Sequence, residues 1–232
     1  MTSGGRLALY WTPDPDSALG RFGASWLGRE IVGGALLPQP ALPGLAAAEQ
    51  QAITEHPRAY GFHATLKPPF ALAPGRSRAE LLEAIDHFVG WRAAFDAPAL
   101  MLKSISGFLA LVPSAPSATL QQLAADCVAN FDAFRAPAPP DETAKRRAAG
   151  LTPAQDAHLL RWGYPYVMDE YRFHLTLTER LSEAQRDLVL PALAPLTAPH
   201  CVAPLRIDAL ALFEQADRAA PFRLIGRFPL QG

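Results

Sequence analysis

The 232-residue chain has little of what marks secreted or membrane-spanning proteins. Its only two cysteines, Cys127 and Cys201, lie far apart, which argues against a disulfide framework or a zinc site of paired cysteines and indicates a reducing compartment. No stretch approaches the ~20 apolar residues that cross a bilayer. The apolar run at residues 7–11 is too short for the core of a signal peptide. The sequence therefore predicts a soluble, cytoplasmic protein without a membrane partner.

The chain also lacks an excess of charge of either sign. Its 21 basic and 22 acidic residues give a formal net charge of −1, so no overall field attracts long nucleic acid. Half of the residues are hydrophobic and 19% are charged, which is typical of a globular protein and not of a disordered one. A small ligand is the expected partner, with the oligomeric state left open.

Hydrophobic periodicity and turn signals predict strands that alternate with helices. Strands are predicted near residues 7–11, 60–66, 100–112, 171–177, 203–213 and 222–228. Helices are predicted near residues 17–30, 78–95, 117–135 and 183–190, two of them starting at the capping boxes Ser77–Glu80 and Ser182–Gln185. A proline-rich loop is predicted at residues 37–44, and the polar segment 141–170 is interpreted as an insertion or a lid.

One five-residue phrase occurs twice, each time followed by a capping box and an amphipathic helix. The two copies are FHATL at residues 62–66 and FHLTL at residues 173–177. Because side chains alternate along a strand, His63 and Thr65 share one face of the first strand, and His174 and Thr176 share one face of the second. Duplication is the simplest account, and a pseudo-twofold arrangement would bring both sets to one cleft.

Two histidines beside two hydroxyls fit the cleavage of a phosphodiester. One imidazole activates the attacking water and the other protonates the leaving oxygen, and each such transfer typically contributes ~10²–10⁴-fold. Threonine hydroxyls can donate to the non-bridging oxygens. The sequence therefore predicts His63 and His174 as catalytic residues and Thr65 and Thr176 as phosphate-binding residues, with no metal or other cofactor. Which histidine is the base stays open.

Five further side chains are weaker candidates. Lys67 lies on the same strand face as His63 by parity, and Arg172 on the same face as His174. Each is therefore a candidate cation for binding the phosphate. An ordinary solvated charge at a strand end is an equally weighted alternative for both. Tyr10, Tyr60 and Tyr166 are candidate cleft residues for stacking a base, and a place in the core suits them equally.

Three competing interpretations involve other chemistry. A metal site of His63, His174 and Asp169 or Glu170 is weaker, because no His-x-His or His-x-x-x-His spacing occurs. The basic cluster at residues 145–147 is interpreted as a solvated loop. A non-catalytic nucleotide-binding module remains, although paired histidines favour an enzyme. The other histidines, interpreted as surface or helix residues, are His56, His87, His158 and His200.

The two phrases resemble the paired His-x-Thr motifs of the two-histidine phosphoesterase superfamily. The wider segments 58–70 and 171–177 are similar to a bacterial branch of it that occurs with phosphonate-utilisation genes, and the similarity extends to residues 21–23 and 227–230. The motif is three residues long, so its specificity comes from two copies in matched contexts.

This resemblance implies a fold and an activity. The implied fold is α+β, a single bilobal domain with antiparallel sheets that form a concave central cleft and helices outside. Its pseudo-symmetric lobes would be residues 1–115 and 116–232. The implied substrate is a small cyclic phosphodiester, such as a ribose 1,2-cyclic phosphate from phosphonate breakdown. A nucleotide or RNA-end 2′,3′-cyclic phosphodiesterase and a 2′-5′ ligase-like enzyme are the alternatives.

Overall fold

Nine strands and seven α-helices make up residues 5–232, the part of the chain that this computed structural model describes. The strands are β1 Arg6–Trp11, β2 Ala64–Phe70, β3 Phe95–Ala97, β4 Leu100–Ile105, β5 Phe108–Pro113, β6 Leu175–Arg180, β7 Leu205–Ile207, β8 Ala209–Gln215 and β9 Arg223–Pro229. The helices are α1 Ala18–Leu27, α2 Ala47–Tyr60, α3 Arg78–Val89, α4 Ala118–Asn130, α5 Pro140–Ala148, α6 Pro153–Trp162 and α7 Glu183–Thr197. No helix within these residues is both long and apolar enough to cross a membrane.

The strands form antiparallel sheets, so the predicted α+β class is confirmed. One sheet has the order β2-β1-β8-β9, a second the order β4-β5-β6, and β3 pairs with β7. Each larger sheet takes strands from both halves of the chain. The strands are therefore not divided between the sheets at residue 115: β8 and β9 complete the sheet of β1 and β2, and β6 joins β4 and β5.

The region before β2 differs most from prediction. A strand at residues 60–66 that ends before two prolines was expected, but α2 runs to Tyr60 and β2 continues through Pro68 and Pro69 to Phe70. β2 is an edge strand, where the missing proline N–H groups leave few ladder bonds unmade. Helix α2 was missed because its buried residues are Gln50, Ile53, Thr54 and Pro57, which carry no apolar helical period.

The predicted helix starts agree better with the structure. Both predicted capping boxes are confirmed: the hydroxyls of Ser77 and Ser182 each accept a bond from the backbone N–H three residues on. Helix α3 ends at Val89, before the predicted residue 95, and α7 continues to residue 197. The segment at residues 141–170 contains α5, α6 and a short 3-10 turn at Met168–Glu170.

Helix α1 joins the two larger sheets. The indole N–H of Trp26, a fully buried residue, donates to the carbonyl of Leu177 in β6 at 2.8 Å. On the same helix, a Cβ built at Gly23 would lie 2.1 Å from the ring of Phe62, the residue before His63. Only a residue without a side chain lets α1 approach the segment before β2 this closely.

Candidate functional site

Both predicted histidines lie in the short segments that enter strands. His63 immediately precedes β2 and His174 immediately precedes β6. Between α2 and His63 the chain turns at Gly61, which has a φ of +81°. A Cβ at Gly61 would also lie 2.5 Å from Ile31, so both conformation and space favour glycine there. One motif therefore leads into each of the two larger sheets.

The two imidazoles make the same contact with their own chain. Nδ1 of His63 is 2.9 Å from the carbonyl oxygen of Gly61, and Nδ1 of His174 is 2.7 Å from that of Arg172. Each carbonyl belongs to the residue two positions earlier. Because a carbonyl only accepts, each Nδ1 carries the proton in the neutral ring, and Nε2 is left to exchange a proton with a ligand.

Thr65 connects His63 to a cavity that His174 lines. Nε2 of His63 is 3.2 Å from the hydroxyl oxygen of Thr65. The cavity, of about 420 Å³, is bordered by Thr65 and His174 together with Arg172 and Tyr166. Four of the predicted site residues thus meet at one cavity, whose size suits a small ligand.

Burial changes the acidity of both imidazoles. It lowers the pKa of His63 to about 4, with a smaller lowering from the charge of His174 and an opposing effect from the bond to Gly61. Burial also lowers the pKa of His174. Both rings are therefore neutral at pH 7 in the absence of a ligand.

The second threonine is placed differently from the first. Thr176 lies half-buried on β6, opposite Ala110 of β5. Within residues 5–232 it does not make the histidine contact that Thr65 makes. The two copies of the motif therefore agree in the contacts of their histidines but not in those of their threonine hydroxyls.

Lys67 does not reach the cavity, against the parity prediction. Its side chain is 2% exposed, and Nζ donates to the carbonyl of Val128 at 3.0 Å and lies 3.7 Å from a carboxylate oxygen of Asp132. The cause is a β-bulge: Thr65 pairs with Tyr10 and Lys67 with Leu9, so two steps along β2 match one along β1. The bulge turns Lys67 towards α4, where burial lowers its pKa to about 8.

We predict that Lys67→Met leaves turnover within about twofold of wild type, whereas Arg172→Met lowers kcat/KM by about 10–100-fold, the loss of one charge-assisted hydrogen bond. Asp132 keeps its bonds to Arg135 at 2.9 Å and Arg161 at 3.4 Å. The stability loss should therefore stay below the ~3–5 kcal/mol of an uncompensated buried charge. Steady-state kinetics and urea unfolding of both variants check this, and a large kinetic loss in Lys67→Met would contradict it.

The three predicted tyrosines lie in different settings. Tyr10 is 0% exposed, so it cannot stack a base in the cleft. Its ring instead lies against the His63 imidazole, with 3.8 Å between centroids and 26° between planes. Tyr60 is half-buried, 6.1 Å from the His63 ring. Tyr166 is 46% exposed and borders the cavity.

Sequence reasoning missed some of the cavity lining. Arg180 of β6 has the parity of His174 and could have been found by alternation along the strand. Gln155 and Tyr164 come from the segment at residues 141–170, which forms part of the cavity wall. No periodic signal marks them, because only the tertiary fold brings this segment to the histidines.

The basic cluster of that segment is engaged in local pairs. Arg146 bonds Glu142 at 3.2 Å and its guanidinium lies 4.8 Å from the centre of the Tyr164 ring. Arg147 bonds Asp156 at 2.6 Å. The cluster therefore lies on helix α5 with both arginines in ion pairs, and not in the solvated loop that the sequence predicted.

The carboxylates of the metal alternative have other partners. Asp169 accepts from His158 at 2.5 Å, and Glu170, which borders the cavity, accepts from Gln155 at 2.9 Å. Across residues 5–232, no group of three or more histidine, cysteine or acidic side chains is close enough to hold a metal ion.

Comparison with known proteins finds relatives by sequence and by structure. Two curated relatives are named ribose 1,5-bisphosphate phosphokinase PhnN. The one from Janthinobacterium sp. (strain Marseille) is 39% identical over 231 residues, covering 98% of this chain and 51% of the relative. The one from Laribacter hongkongensis (strain HLHK9) is 37% identical over 227 residues, covering 94% and 50%. The chain thus spans about half the length of the curated relatives that it matches.

Similar solved structures include TT0787 of Thermus thermophilus, with a TM-score of 0.46 and 14% identity over 98% of both chains. Another is described as a phosphoesterase, with a TM-score of 0.41 and 13% identity over 98% of this chain and 99% of that one. A family described as "Protein of unknown function (DUF1045)" matches residues 65–223, which include Thr65 and the whole second motif. That span is more than half of the chain, and the chain therefore belongs to the DUF1045 family.

Proposed function

We propose that the protein is a phosphodiesterase that hydrolyses a small cyclic phosphodiester with His63 and His174 as its acid and base. The observation that carries this proposal is the matched orientation of the two imidazoles. Each donates from Nδ1 to the carbonyl two residues earlier and leaves Nε2 for the reaction. A pair of this kind supplies both proton transfers without further groups.

The reaction balances with these two groups alone. One neutral imidazole takes a proton at Nε2 from the attacking water, whose oxygen forms a bond to phosphorus. The ring P–O bond breaks, and the other imidazole, protonated at Nε2, gives its proton to the leaving oxygen. The product is a phosphomonoester with a free hydroxyl. Exchange of one proton with the solvent at each imidazole restores the starting state.

Cations and a hydroxyl are available for the phosphoryl group. Arg172 and Arg180 both border the cavity, and guanidinium groups bind phosphate oxygens with two parallel bonds. The hydroxyl of Thr65 lies beside Nε2 of His63, where it can turn to donate to a non-bridging oxygen. Negative charge that develops on the phosphoryl oxygens would thus meet donors on more than one side.

The names of the relatives favour a phosphorylated ribose as the substrate. Both are named as kinases of ribose 1,5-bisphosphate, and this chain corresponds to about half of each. We therefore propose a ribose 1,2-cyclic phosphate, handled in phosphonate breakdown, as the substrate. The cavity of about 420 Å³ suits a ligand of that size.

Hydrolysis of a substrate panel in the presence of a chelator tests the proposal. The panel holds ribose 1,2-cyclic phosphate, nucleoside 2′,3′-cyclic phosphates and linear diesters, with the double variant His63→Ala/His174→Ala as the control for contaminating enzymes. We expect turnover that survives the chelator and is fastest on the ribose cyclic phosphate. A preference for nucleoside 2′,3′-cyclic phosphates would instead indicate an enzyme that acts on nucleotide or RNA ends. Binding without turnover on every substrate would leave a binding module, and loss with the chelator would indicate a metal enzyme.

A further inference from the structure

The two histidines have different surroundings. His174 borders the cavity, with the centre of the Phe108 ring 5.6 Å from that of its imidazole. Three aromatic rings lie around His63, with centroid distances of 3.8 Å for Tyr10, 6.1 Å for Tyr60 and 6.3 Å for Phe213. One imidazole is thus stacked on an aromatic ring, and the other borders the cavity directly.

Tyr10 is the closest of these rings and the most firmly held. It lies in β1, an inner strand of its sheet, opposite Thr65 of β2 and Ala211 of β8. It is wholly buried, with its ring nearly parallel to the imidazole of His63. The bonds of His63 to Gly61 and Thr65 fix its two nitrogens. The Tyr10 ring completes the set by covering one face.

Resting on the function proposed above, we propose that Tyr10 is a positioning residue that covers one face of the His63 imidazole and holds it in one plane, so that His63 acts as the general base and His174 as the general acid. A base must be neutral before the reaction, and an imidazole covered by rings loses the hydration that stabilises its cation. An acid must be protonated, and His174 lies where the bound phosphate would stabilise its cation. The covered face of His63 and the position of His174 at the cavity thus give the pair a direction.

The lowered pKa of His63 agrees with its assignment as the base. The lowering of the pKa of His63 to about 4 comes first from burial. An aromatic face attracts a cation and would act in the opposite sense. The titratable side chains that face His63 are Tyr10 of β1, Tyr60 of α2 and His174. Thr65 and Phe213 complete its surroundings without a charge.

Removal of the Tyr10 hydroxyl would distinguish the role of the aromatic ring from that of the phenol O–H. Within residues 5–232 the hydroxyl is buried without a hydrogen-bond partner. Burial holds the pKa of Tyr10 well above its ordinary value, so the group stays protonated. Because the ring alone makes the contact with His63, Tyr10→Phe is the conservative variant that keeps the contact, and Tyr10→Leu keeps apolar bulk but removes the flat face.

Titration of the His63 imidazole by NMR, without any substrate, tests the positioning role. We expect the pKa of His63 to rise by about one unit or more in Tyr10→Leu, towards the ordinary value near 6.5, as water reaches the ring. Tyr10→Phe should retain the wild-type pKa and imidazole shifts. An unchanged His63 in Tyr10→Leu would overturn the proposal. This measurement does not depend on catalysis, so it decides the role of Tyr10 whatever the substrate.

The leaving group tests the direction of the pair. A nitrophenyl leaving group needs no proton, so His174→Ala should lose at least tenfold less activity on a nitrophenyl diester than on the cyclic substrate. His63→Ala should lose the same factor on both. The reverse pattern would overturn the assignment. In the pH profile of kcat/KM, the acidic limb should move upward in Tyr10→Leu and the alkaline limb should stay. No wild-type turnover on any diester would overturn the proposed function and the base assignment with it.

Discussion

Replacing either His63 or His174 by alanine is expected to lower kcat on the cyclic substrate by about 10²–10⁴-fold, the usual contribution of a positioned acid or base. The double variant should be little worse than the weaker single variant, because the two transfers belong to one concerted step and their losses do not add. Single-turnover and steady-state kinetics measure both effects.

The matched control is His87→Ala, since His87 is an exposed histidine on α3, away from both motifs. It should keep wild-type kinetics. Thermal unfolding of each variant shows whether lost activity reflects lost structure. Retained turnover in either alanine variant with an intact fold would refute the two-histidine mechanism.

The pH dependence of wild-type kcat/KM follows from the same two groups. The base must be deprotonated, so kcat/KM rises as the pH rises through the pKa of His63, about 4. The acid must be protonated, so kcat/KM falls as the pH rises through the pKa of His174, which burial also lowers. We expect a bell-shaped profile of kcat/KM whose maximum lies below the ordinary histidine value of about 6.5. A maximum at alkaline pH would contradict this.

The second large effect is expected at Gly23 on α1. In a helix interior, alanine is normally better than glycine by about 1 kcal/mol. Here the added Cβ would lie 2.1 Å from the Phe62 ring, and the carbonyl of Phe62 is fixed by the buried hydroxyl of Thr12 at 2.8 Å. We therefore expect Gly23→Ala to destabilise the protein by about 1–3 kcal/mol, the usual cost of overpacking.

The same substitution should also affect catalysis, because Phe62 precedes His63. A shift of about 1 Å in a reacting group can cost about 10²-fold in rate. Gly226→Ala in β9 is the control, since its Cβ would make an ordinary 3.4 Å contact with Phe228. The double variant Gly23→Ala/Phe62→Leu should recover part of both losses by making room. Urea unfolding and kcat of these variants check the prediction, and a stabilised, fully active Gly23→Ala would refute it.

Features of the fold that depend on a few neighbouring residues were predicted from the sequence, and features that depend on distant residues were not. The capping boxes at Ser77 and Ser182 need only four residues, and both are present as predicted. The approach of each histidine to a strand also follows from a short apolar pattern. Helix α2 was not predicted because its buried face contains the polar residues Gln50 and Thr54. Hydrophobic periodicity detects apolar faces only.

The errors in the site came from longer-range causes. Alternation assigned Lys67 to the face of His63, but the bulge between β1 and β2 reverses its direction, and a bulge depends on the partner strand. Tyr10 looked like a cleft residue because a sequence does not show which ring lies under another. The contribution of Gln155 and Tyr164 required the path of the whole segment 141–170.

The exchange of strands between the sheets has a consequence for synthesis on the ribosome. β1 pairs with β8 through contacts such as Arg6 with Gln215, so β1 must wait for a strand that is made much later. Until residues 209–229 emerge, β1 has an unpaired inner edge and β2 is its only partner. Contacts so distant in sequence slow folding and leave strand edges exposed. The sheet of β1 and β2 is therefore completed late in synthesis, and the two halves of the chain cannot fold as separate units.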